Sequence, residues 1–172
     1  MTCVLAIEDG PHVWLAGDSA VTDDDYNQEL LSDSKVWATA TGWGFGFAGS
    51  NRVGAVLRET LDPPKMRRDL SRIRRYVTIE LAKELRALLR DEEETEIAAT
   101  YLIAAHRGFA WGGALREMSR TTHGYQAIGT PDALAVLAAT DKLSPRVRAL
   151  RVLACVARHA ANVRPPFTVV RV

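Results

Sequence analysis

Short runs of apolar residues separated by turn signals dominate the beginning of the chain. TCVLAIE and HVWLAGD stand on either side of an Asp-Gly-Pro turn at 9–11, and KVWATA and WGFGFAG are separated by a Thr-Gly pair at 41–42. Apolar runs joined in this way are typical of β-hairpins, so we predict two strand pairs. The polar stretch SAVTDDDYNQELLSDS between them is predicted to be a loop.

Further strands are predicted in the second half of the chain. IAATYLIAA and FAWGGALREM bracket a turn at 106–108, which indicates another hairpin. GYQAI predicts a strand that ends at Gly129, and FTVVRV predicts the last strand.

Four other segments have the apolar spacing of helices. Ser50 stands where an N-cap is expected, and the helix behind it is predicted to end at the Asp-Pro-Pro stretch 62–64. Apolar residues recur every three or four positions over about 69–90, which predicts a long amphipathic helix. The Thr-Pro pair at 130–131 and the Ser-Pro pair at 144–145 are typical helix starts.

The order of these elements predicts an α+β fold. Runs of strands alternate with pairs of helices, which favours two packed sheets with a layer of helices outside each. The chain has 172 residues, the size of one compact domain, and it shows no internal repeat or linker. We therefore predict a single domain over residues 1–172.

Composition excludes several classes of partner and indicates a compartment. The chain carries 22 basic and 21 acidic residues, so no net field favours nucleic acid or a membrane surface. It has no apolar run long enough for a transmembrane helix, and Glu8 and Asp9 are unlike a signal peptide. Its two cysteines have no metal-ligand spacing, which fits a reducing environment. These features predict a cytoplasmic protein that binds neither nucleic acid nor membrane.

The second residue of the chain is a candidate nucleophile. If Met1 is removed, Thr2 becomes the N-terminus and carries both a hydroxyl and a free α-amine. An α-amine has a pKa near ~8 and can act as the base that activates the hydroxyl. Taken alone, Thr2 is better explained as an ordinary β-branched residue at the start of a strand, and only the motifs further along the chain favour a nucleophile.

The order of several short motifs resembles the proteasome β-subunit family, including HslV-like ring peptidases. An initial Thr is followed by GDS, SKV and GFAG before the first helix, then by AIG and a C-terminal FTV. No single motif is specific, but their order and spacing cover nearly the whole chain. The resemblance implies an N-terminal nucleophile hydrolase with a four-layer αββα sandwich.

By this resemblance, the catalytic residues are Thr2, Asp18, Lys35, Gly49 and Thr130. Lys35 would lower the pKa of the nucleophile, and Asp18 would hold the lysine in place. The alternative is that Asp18 caps a turn and Lys35 is a solvated cation. Gly49 would supply an oxyanion-hole N–H or form a simple strand-to-helix turn. Thr130 would support the site or cap a helix, in a loop about two residues shorter than is usual in the family.

The resemblance also implies the substrate-binding residues. Val21, Asp33 and Phe47 would line the primary specificity pocket, and Thr22 would pair with the substrate backbone as an added strand. A carboxylate at Asp33 would favour a basic side chain of the substrate.

No cofactor is expected to be required, but the family implies a structural cation. Backbone carbonyls of Ala157, Ala160 and Val163 would bind a monovalent or divalent ion. Carbonyl ligands leave no pattern in a sequence, so this site follows from the resemblance alone.

The implied function is that of a threonine-type endopeptidase subunit of a self-compartmentalising protease. We expect a homo-oligomer of six or more subunits, peptide or unfolded-protein substrates, and an unfolding AAA+ ATPase as a partner. Two alternatives remain open: an amidase or acylase that acts on small molecules, and a catalytically silent assembly subunit similar to proteasome α-type subunits. Such subunits normally carry an extension ahead of the first strand, so Thr2 at the start of the sequence favours a working nucleophile.

Overall fold

The computed structural model describes residues 2–22, 28–66, 69–88, 99–113 and 121–172. The strands are β1 Val4–Asp9, β2 His12–Gly17, β3 Ala20–Thr22, β4 Gln28–Leu30, β5 Val36–Ala38, β6 Gly44–Gly49, β7 Ala99–Ala105, β8 Gly108–Gly113, β9 Tyr125–Ile128 and β10 Thr168–Arg171. The helices are α1 Asn51–Thr60, α2 Leu70–Arg75, α3 Leu81–Leu88, α4 Asp132–Ala139 and α5 Pro145–His159.

The strands form two four-stranded antiparallel sheets and one small hairpin. The first sheet has the order β10-β2-β1-β9, and the second has the order β5-β6-β7-β8. In the first sheet, β1 and β2 pair in full register from Val4 opposite Gly17 to Asp9 opposite His12. This pairing places the residues just before β1 beside those just after β2.

Three apolar cores connect the sheets and helices. One core contains residues of both sheets, among them Val4, Leu15 and Leu102, and lies between them. A second joins the first sheet to α4 and α5, and a third joins the second sheet to α1 and to the helical segment that contains α2 and α3. The described residues therefore have the α+β organisation that the sequence predicts.

The strand pairs predicted around residues 9–11, 41–42 and 106–108 are confirmed, as are β9 and β10. The prediction of a loop between β2 and β5 was wrong, because the segment contains the β3–β4 hairpin. Backbone pairing of Ala20 with Leu30 forms this hairpin, and all three residues of β4 are exposed. A strand whose side chains all face solvent lacks the apolar alternation by which strands are predicted.

The long amphipathic helix is present but is not uniform. A π-helical turn over Tyr76–Glu80 separates α2 from α3, and the predicted end of the helix near residue 90 lies outside the described residues. The buried side chains of Tyr76 and Val77 belong to this turn. Within the described part of the chain, no helix is long and apolar enough to cross a membrane.

Candidate active site

Strand pairing in the first sheet brings Thr2 and Asp18 together. Thr2 precedes β1 and Asp18 follows β2, which are neighbouring antiparallel strands. The N–H of Cys3 donates to Oδ1 of Asp18 at 2.9 Å, and the N–H of Asp18 donates to the Cys3 carbonyl at 3.2 Å. The N–H of Ala20 donates to Oδ2 of the same carboxylate at 3.0 Å. The buried Asp18 side chain is therefore oriented by two backbone N–H groups.

Lys35 reaches this pair from the second sheet, where it immediately precedes β5. It is 1% exposed, and its Nζ lies 3.1 Å from both carboxylate oxygens of Asp18. The same Nζ donates to the hydroxyl oxygen of Thr2 at 2.9 Å and to the carbonyl of Ala20. An ammonium has three donors, and here they meet three acceptor groups.

This geometry excludes a solvated Lys35, whereas Asp18 both accepts the N–H of Ala20, as a turn cap does, and pairs with the lysine. Neither side chain is solvated, since both are about 1% exposed and they form a buried ion pair. Lys35 donates to the Thr2 hydroxyl oxygen, so the proton of that hydroxyl points away from the lysine. The arrangement holds a positive charge against the oxygen atom of Thr2.

Burial shifts the pKa values of two groups in this cluster. Burial lowers the pKa of Lys35, and the neighbouring Asp18 carboxylate partly opposes that shift. Burial, reinforced by the Asp18 charge and opposed by the Lys35 charge, raises the pKa of Cys3 to about 12. The Cys3 thiol therefore stays protonated near neutral pH and does not compete with Thr2 as a nucleophile.

Two glycines, Gly49 and Gly129, line a cavity together with Thr2. Gly49 ends β6 with a φ of +117°, a conformation that L side chains rarely adopt, and Ser50 behind it caps α1. Gly129 follows β9 with a φ of +86°. A Cβ at Gly129 would lie 2.0 Å from the carbonyl oxygen of Thr2, so only glycine allows this close approach.

Thr130 contacts Thr2 instead of capping a helix. Its hydroxyl donates to the Thr2 carbonyl at 2.9 Å, and the N-cap position of α4 is occupied by Pro131. The alternative of Thr130 as the N-cap was therefore wrong. The hydroxyl has a tertiary acceptor that no local sequence pattern specifies.

Thr2 opens into a cavity of about 310 Å³. Its described lining residues are Thr2, Ala20, Val21, Thr22, Ala48, Gly49, Asn51, Thr100 and Gly129. None of these carries a charged side chain. The cavity lies beside the Thr2 hydroxyl, which Lys35 contacts, and beside Gly49, which precedes α1.

A comparison with solved structures finds the same architecture in several proteins. HslV from Trypanosoma brucei superposes with a TM-score of 0.75 and 19% sequence identity, over 98% of both chains. BPH from Thiobacillus denitrificans, in complex with epoxomicin, has a TM-score of 0.78 and 17% identity, over 99% of this chain and 97% of that one. The chain has an HslV-like, proteasome-like fold. No protein-family model matches the sequence, and neither does any curated protein.

A third structure with the HslV-like fold is Anbu from Pseudomonas aeruginosa, which was solved as a helical assembly. It has a TM-score of 0.70 and 12% identity, over 99% of this chain and 80% of that one. At these identities the likeness shows the fold alone, because one fold can host different chemistries.

Of the four predicted substrate-binding residues, two line the cavity beside Thr2 and two are not among its described lining residues. Val21 and Thr22 line the cavity beside Thr2. Phe47 is 4% exposed and belongs to the core under α1, where its ring lies against Gly54. Asp33 is exposed and is not among the described residues that line the cavity.

Sequence reasoning did not include Gly129, Asn51 and Thr100 in the site. Gly129 had a detectable signal, because it lies between a strand and a Thr-Pro helix start. Asn51 and Thr100 have no such signal, since they reach the cavity only when α1 and β7 are placed beside Thr2. The Ala20 carbonyl, which accepts from Lys35, has no side-chain signature at all.

The segment predicted to bind a cation is held by protein donors. The N–H of Val163 donates to the Ala160 carbonyl at 3.1 Å. Gln28 and Arg164 side chains donate to the Ala161 carbonyl, at 2.9 and 3.0 Å respectively. An ion would share the Ala160 carbonyl with Val163, and the described residues contain no cluster of three His, Cys, Asp or Glu side chains. A cation at Ala157, Ala160 and Val163 stays a prediction.

Proposed function

We propose that this protein is a threonine-type endopeptidase subunit of a self-compartmentalising protease. Its nucleophile would be Thr2, exposed as the N-terminal residue by removal of Met1. The observation that carries the proposal is the 2.9 Å hydrogen bond from Lys35 to the hydroxyl oxygen of Thr2, beside the buried Asp18. A buried cation against a hydroxyl oxygen stabilises the negative charge that develops as that oxygen becomes a nucleophile.

In the first step, the hydroxyl oxygen of Thr2 attacks the carbonyl carbon of a substrate amide. The hydroxyl proton moves to the α-amine of Thr2, and the carbonyl π-electrons move to the oxygen to form an oxyanion. The ammonium formed from the α-amine then protonates the leaving amine as the C–N bond breaks. The product is an ester between Thr2 and the acyl part of the substrate.

In the second step, water hydrolyses this ester. The α-amine of Thr2 takes a proton from the attacking water, and that proton returns to the threonine oxygen as the ester bond breaks. Both steps need an uncharged α-amine and a charged Lys35. Because the lysine donates to the oxygen, it can stabilise the alkoxide without accepting the hydroxyl proton.

Two further residues have distinct roles in this proposal. The N–H of Gly49 would donate to the oxyanion, because this glycine lines the cavity beside Thr2 and leads directly into α1. Thr130 would hold the backbone of Thr2 through its hydrogen bond to the carbonyl. The nucleophile would thus be fixed from the main-chain side while its hydroxyl faces the cavity.

The same proposal includes a four-layer fold, a homo-oligomeric assembly and a partner ATPase. The three cores are consistent with a four-layer αββα sandwich. A peptidase with an open cavity beside its nucleophile would cleave any accessible chain, which favours enclosure within a homo-oligomer of six or more subunits. Anbu from Pseudomonas aeruginosa forms a helical assembly, which supports self-association of this fold. Unfolded protein supplied by a cytoplasmic AAA+ ATPase would be the substrate.

Mass spectrometry tests the proposal directly. Protein from a cell that contains methionine aminopeptidase should have an intact mass short by one methionine. It should gain one covalent adduct per subunit from epoxomicin, whose epoxyketone reacts with a hydroxyl and the adjacent amine. Thr2→Ala should abolish the adduct, and the matched variant Thr122→Ala, at an exposed site, should not. Retention of Met1 in reactive protein, or an adduct on another residue, would contradict the proposal and favour a silent assembly subunit.

A peptide assay separates the endopeptidase from a small-molecule amidase. Unfolded casein and short acyl-amides are incubated with the assembled protein, and Thr2→Ala is the blank. Cleavage of internal peptide bonds supports the endopeptidase. Hydrolysis of acyl-amides alone would contradict it while leaving Thr2 as the nucleophile.

A further inference from the structure

The segment that carries Lys35 is held by an arginine from the last turn of α1. Arg58 donates from Nη2 to the carbonyl of Ser34, the residue that precedes the lysine. The guanidinium carbon of Arg58 also lies 4.6 Å from the centroid of the Trp37 ring. One side chain therefore contacts residues on both sides of Lys35.

The aromatic contact of Arg58 is itself anchored in the second sheet. The Trp37 ring stacks on Phe45 with centroids 5.6 Å apart, and it meets the edge of Phe47 at 6.4 Å. Both phenylalanines are buried core residues on β6. A guanidinium over a tryptophan face gains about 0.5–2 kcal/mol, and its planar fork can donate to a carbonyl at the same time. The arginine thus joins α1 to the β5 segment, whose Trp37 ring packs on β6.

Among the described residues, a hydrogen bond from β6 also holds the backbone of Lys35. Its carbonyl accepts the N–H of Phe47 at 3.2 Å, and β5 pairs with β6 only from Val36 onward. Ser34 adds a local bond, because its hydroxyl oxygen accepts the N–H of Val36 at 3.2 Å. The Arg58 bond to the Ser34 carbonyl is therefore a tertiary contact placed directly before the lysine.

Small movements of this segment would reach the nucleophile. The Lys35 Nζ must meet the Thr2 hydroxyl at 2.9 Å and Asp18 at 3.1 Å at the same time. A displacement of ~1 Å at a catalytic contact can cost roughly 10²-fold in rate. The helix that carries Arg58 begins next to Gly49, so α1 connects the lysine segment to the glycine that lines the cavity.

We propose that Arg58 is a positioning residue for Lys35, which it holds in place through the Ser34 carbonyl and the Trp37 ring. The proposal rests on the proposed function, because it assigns Arg58 a role in the reaction of Thr2. Arg58 is not among the described residues that line the cavity beside Thr2. Its effect would therefore be on the rate of reaction of bound ligand, and binding would be unchanged.

The test compares three variants in the assembled protein. Arg58→Met keeps an unbranched stem but removes the guanidinium, Arg58→Lys keeps a charge and a donor, and Arg151→Met is the control at an exposed position of α5. Epoxomicin labelling is followed over time at several concentrations. Arg58→Met should lower the maximal labelling rate about tenfold or more with an unchanged half-saturating concentration. Arg58→Lys should recover part of the rate, and Arg151→Met should equal the parent protein.

A second measurement does not depend on activity. The chain contains four lysines, so ¹³Cε-labelled lysine should give four assignable signals, with Lys35→Met identifying the one of interest. The Lys35 signal should shift in Arg58→Met and stay in place in Arg151→Met. An unshifted Lys35 signal, or equal labelling by Arg58→Met and the parent, would overturn the positioning role. Failure of the parent protein to label would instead contradict the proposed function, and the lysine signal would still decide the role of Arg58.

Discussion

The hydroxyl of Thr130 donates to the backbone carbonyl of Thr2 at 2.9 Å. This bond joins the start of the chain to the segment between β9 and α4, and it lies on the main-chain side of the candidate nucleophile. Beside it, the absent side chain of Gly129 gives the Thr2 carbonyl room to approach. The position of Thr2 therefore depends on one hydroxyl group and on one missing Cβ atom.

Thr130→Val should lower the rate of epoxomicin labelling about tenfold, because valine keeps the shape but removes the donor to the Thr2 carbonyl. A typical hydrogen bond contributes about 1 kcal/mol, and an unpaired buried carbonyl can cost more. Labelling kinetics measure the effect. Thr130→Ser is the control, because it keeps the hydroxyl and should label at nearly the parent rate. Equal rates for the valine variant and the parent would rule out a role for this bond.

Gly129→Ala should destabilise the protein by about 3 kcal/mol and nearly abolish labelling, since strain and overpacking act together. Its new Cβ would lie 2.0 Å from the Thr2 carbonyl oxygen, at a φ of +86°. Gly10→Ala is a matched control, because Gly10 has a φ of +58° with nothing within 4 Å. That variant should cost only about 1–2 kcal/mol and label normally. Urea unfolding and labelling measure both, and equal losses in the two variants would contradict the steric explanation.

Lys35→Met should destabilise the protein by roughly 3–5 kcal/mol, because it removes the amine donors as well as the charge and leaves the buried Asp18 carboxylate without a partner. A deprotonated lysine, by contrast, can still donate hydrogen bonds to Asp18. The double variant Asp18→Asn/Lys35→Met should recover most of that stability, since no buried charge remains. Both proteins should label at least about 100-fold more slowly than the parent, because the charge at the Thr2 oxygen is gone. Urea unfolding separates the structural effect from the chemical one. Normal labelling by the stable double variant would exclude Lys35 from the mechanism.

The pH dependence of labelling should show an alkaline limb below 10.5, the usual pKa of a lysine. Burial lowers the pKa of Lys35, so its ammonium is lost at a lower pH than in the unfolded chain. Between the two values the unfolded state binds more protons, so the contribution of Lys35 to the free energy of unfolding rises with pH. That contribution is complete above 10.5 and is lost as the pH falls through the native value. The labelling rate and the Lys35 contribution to the free energy of unfolding should therefore change in opposite directions over this range.

The control for the pH experiment is the double variant Asp18→Asn/Lys35→Met. Burial raises the pKa of Tyr101 to about 12, and this phenol contributes to the pH dependence with the opposite sign. Because Tyr101 is present in both proteins, its contribution cancels in their difference. The pKa of Cys3 responds to the Asp18 and Lys35 charges, so Cys3 is replaced by alanine in both proteins. A difference in unfolding free energy that stays constant with pH would contradict the lowered pKa of Lys35.

Much of the fold was predictable because its signals are local. The D-G-P turn between β1 and β2 and the apolar runs on either side define that hairpin within one short stretch of chain. Ser50 caps α1 as its position before an apolar helical pattern predicts. The β3–β4 hairpin escaped prediction because β4 is exposed on all its residues, so backbone pairing alone defines it.

The sequence by itself determined the α+β pattern and selected Thr2, Asp18 and Lys35 through the order of short motifs. Their catalytic roles stay predictions, but their mutual distances are tertiary facts, because β1, β2 and β5 meet only when the two sheets pack. Only the tertiary structure places the Phe47 side chain in the core under α1, and only it brings the Thr130 hydroxyl within hydrogen-bond distance of the Thr2 carbonyl. Such contacts join residues that are distant along the chain, and several use backbone carbonyls, which every residue possesses. A sequence pattern therefore carries no record of them.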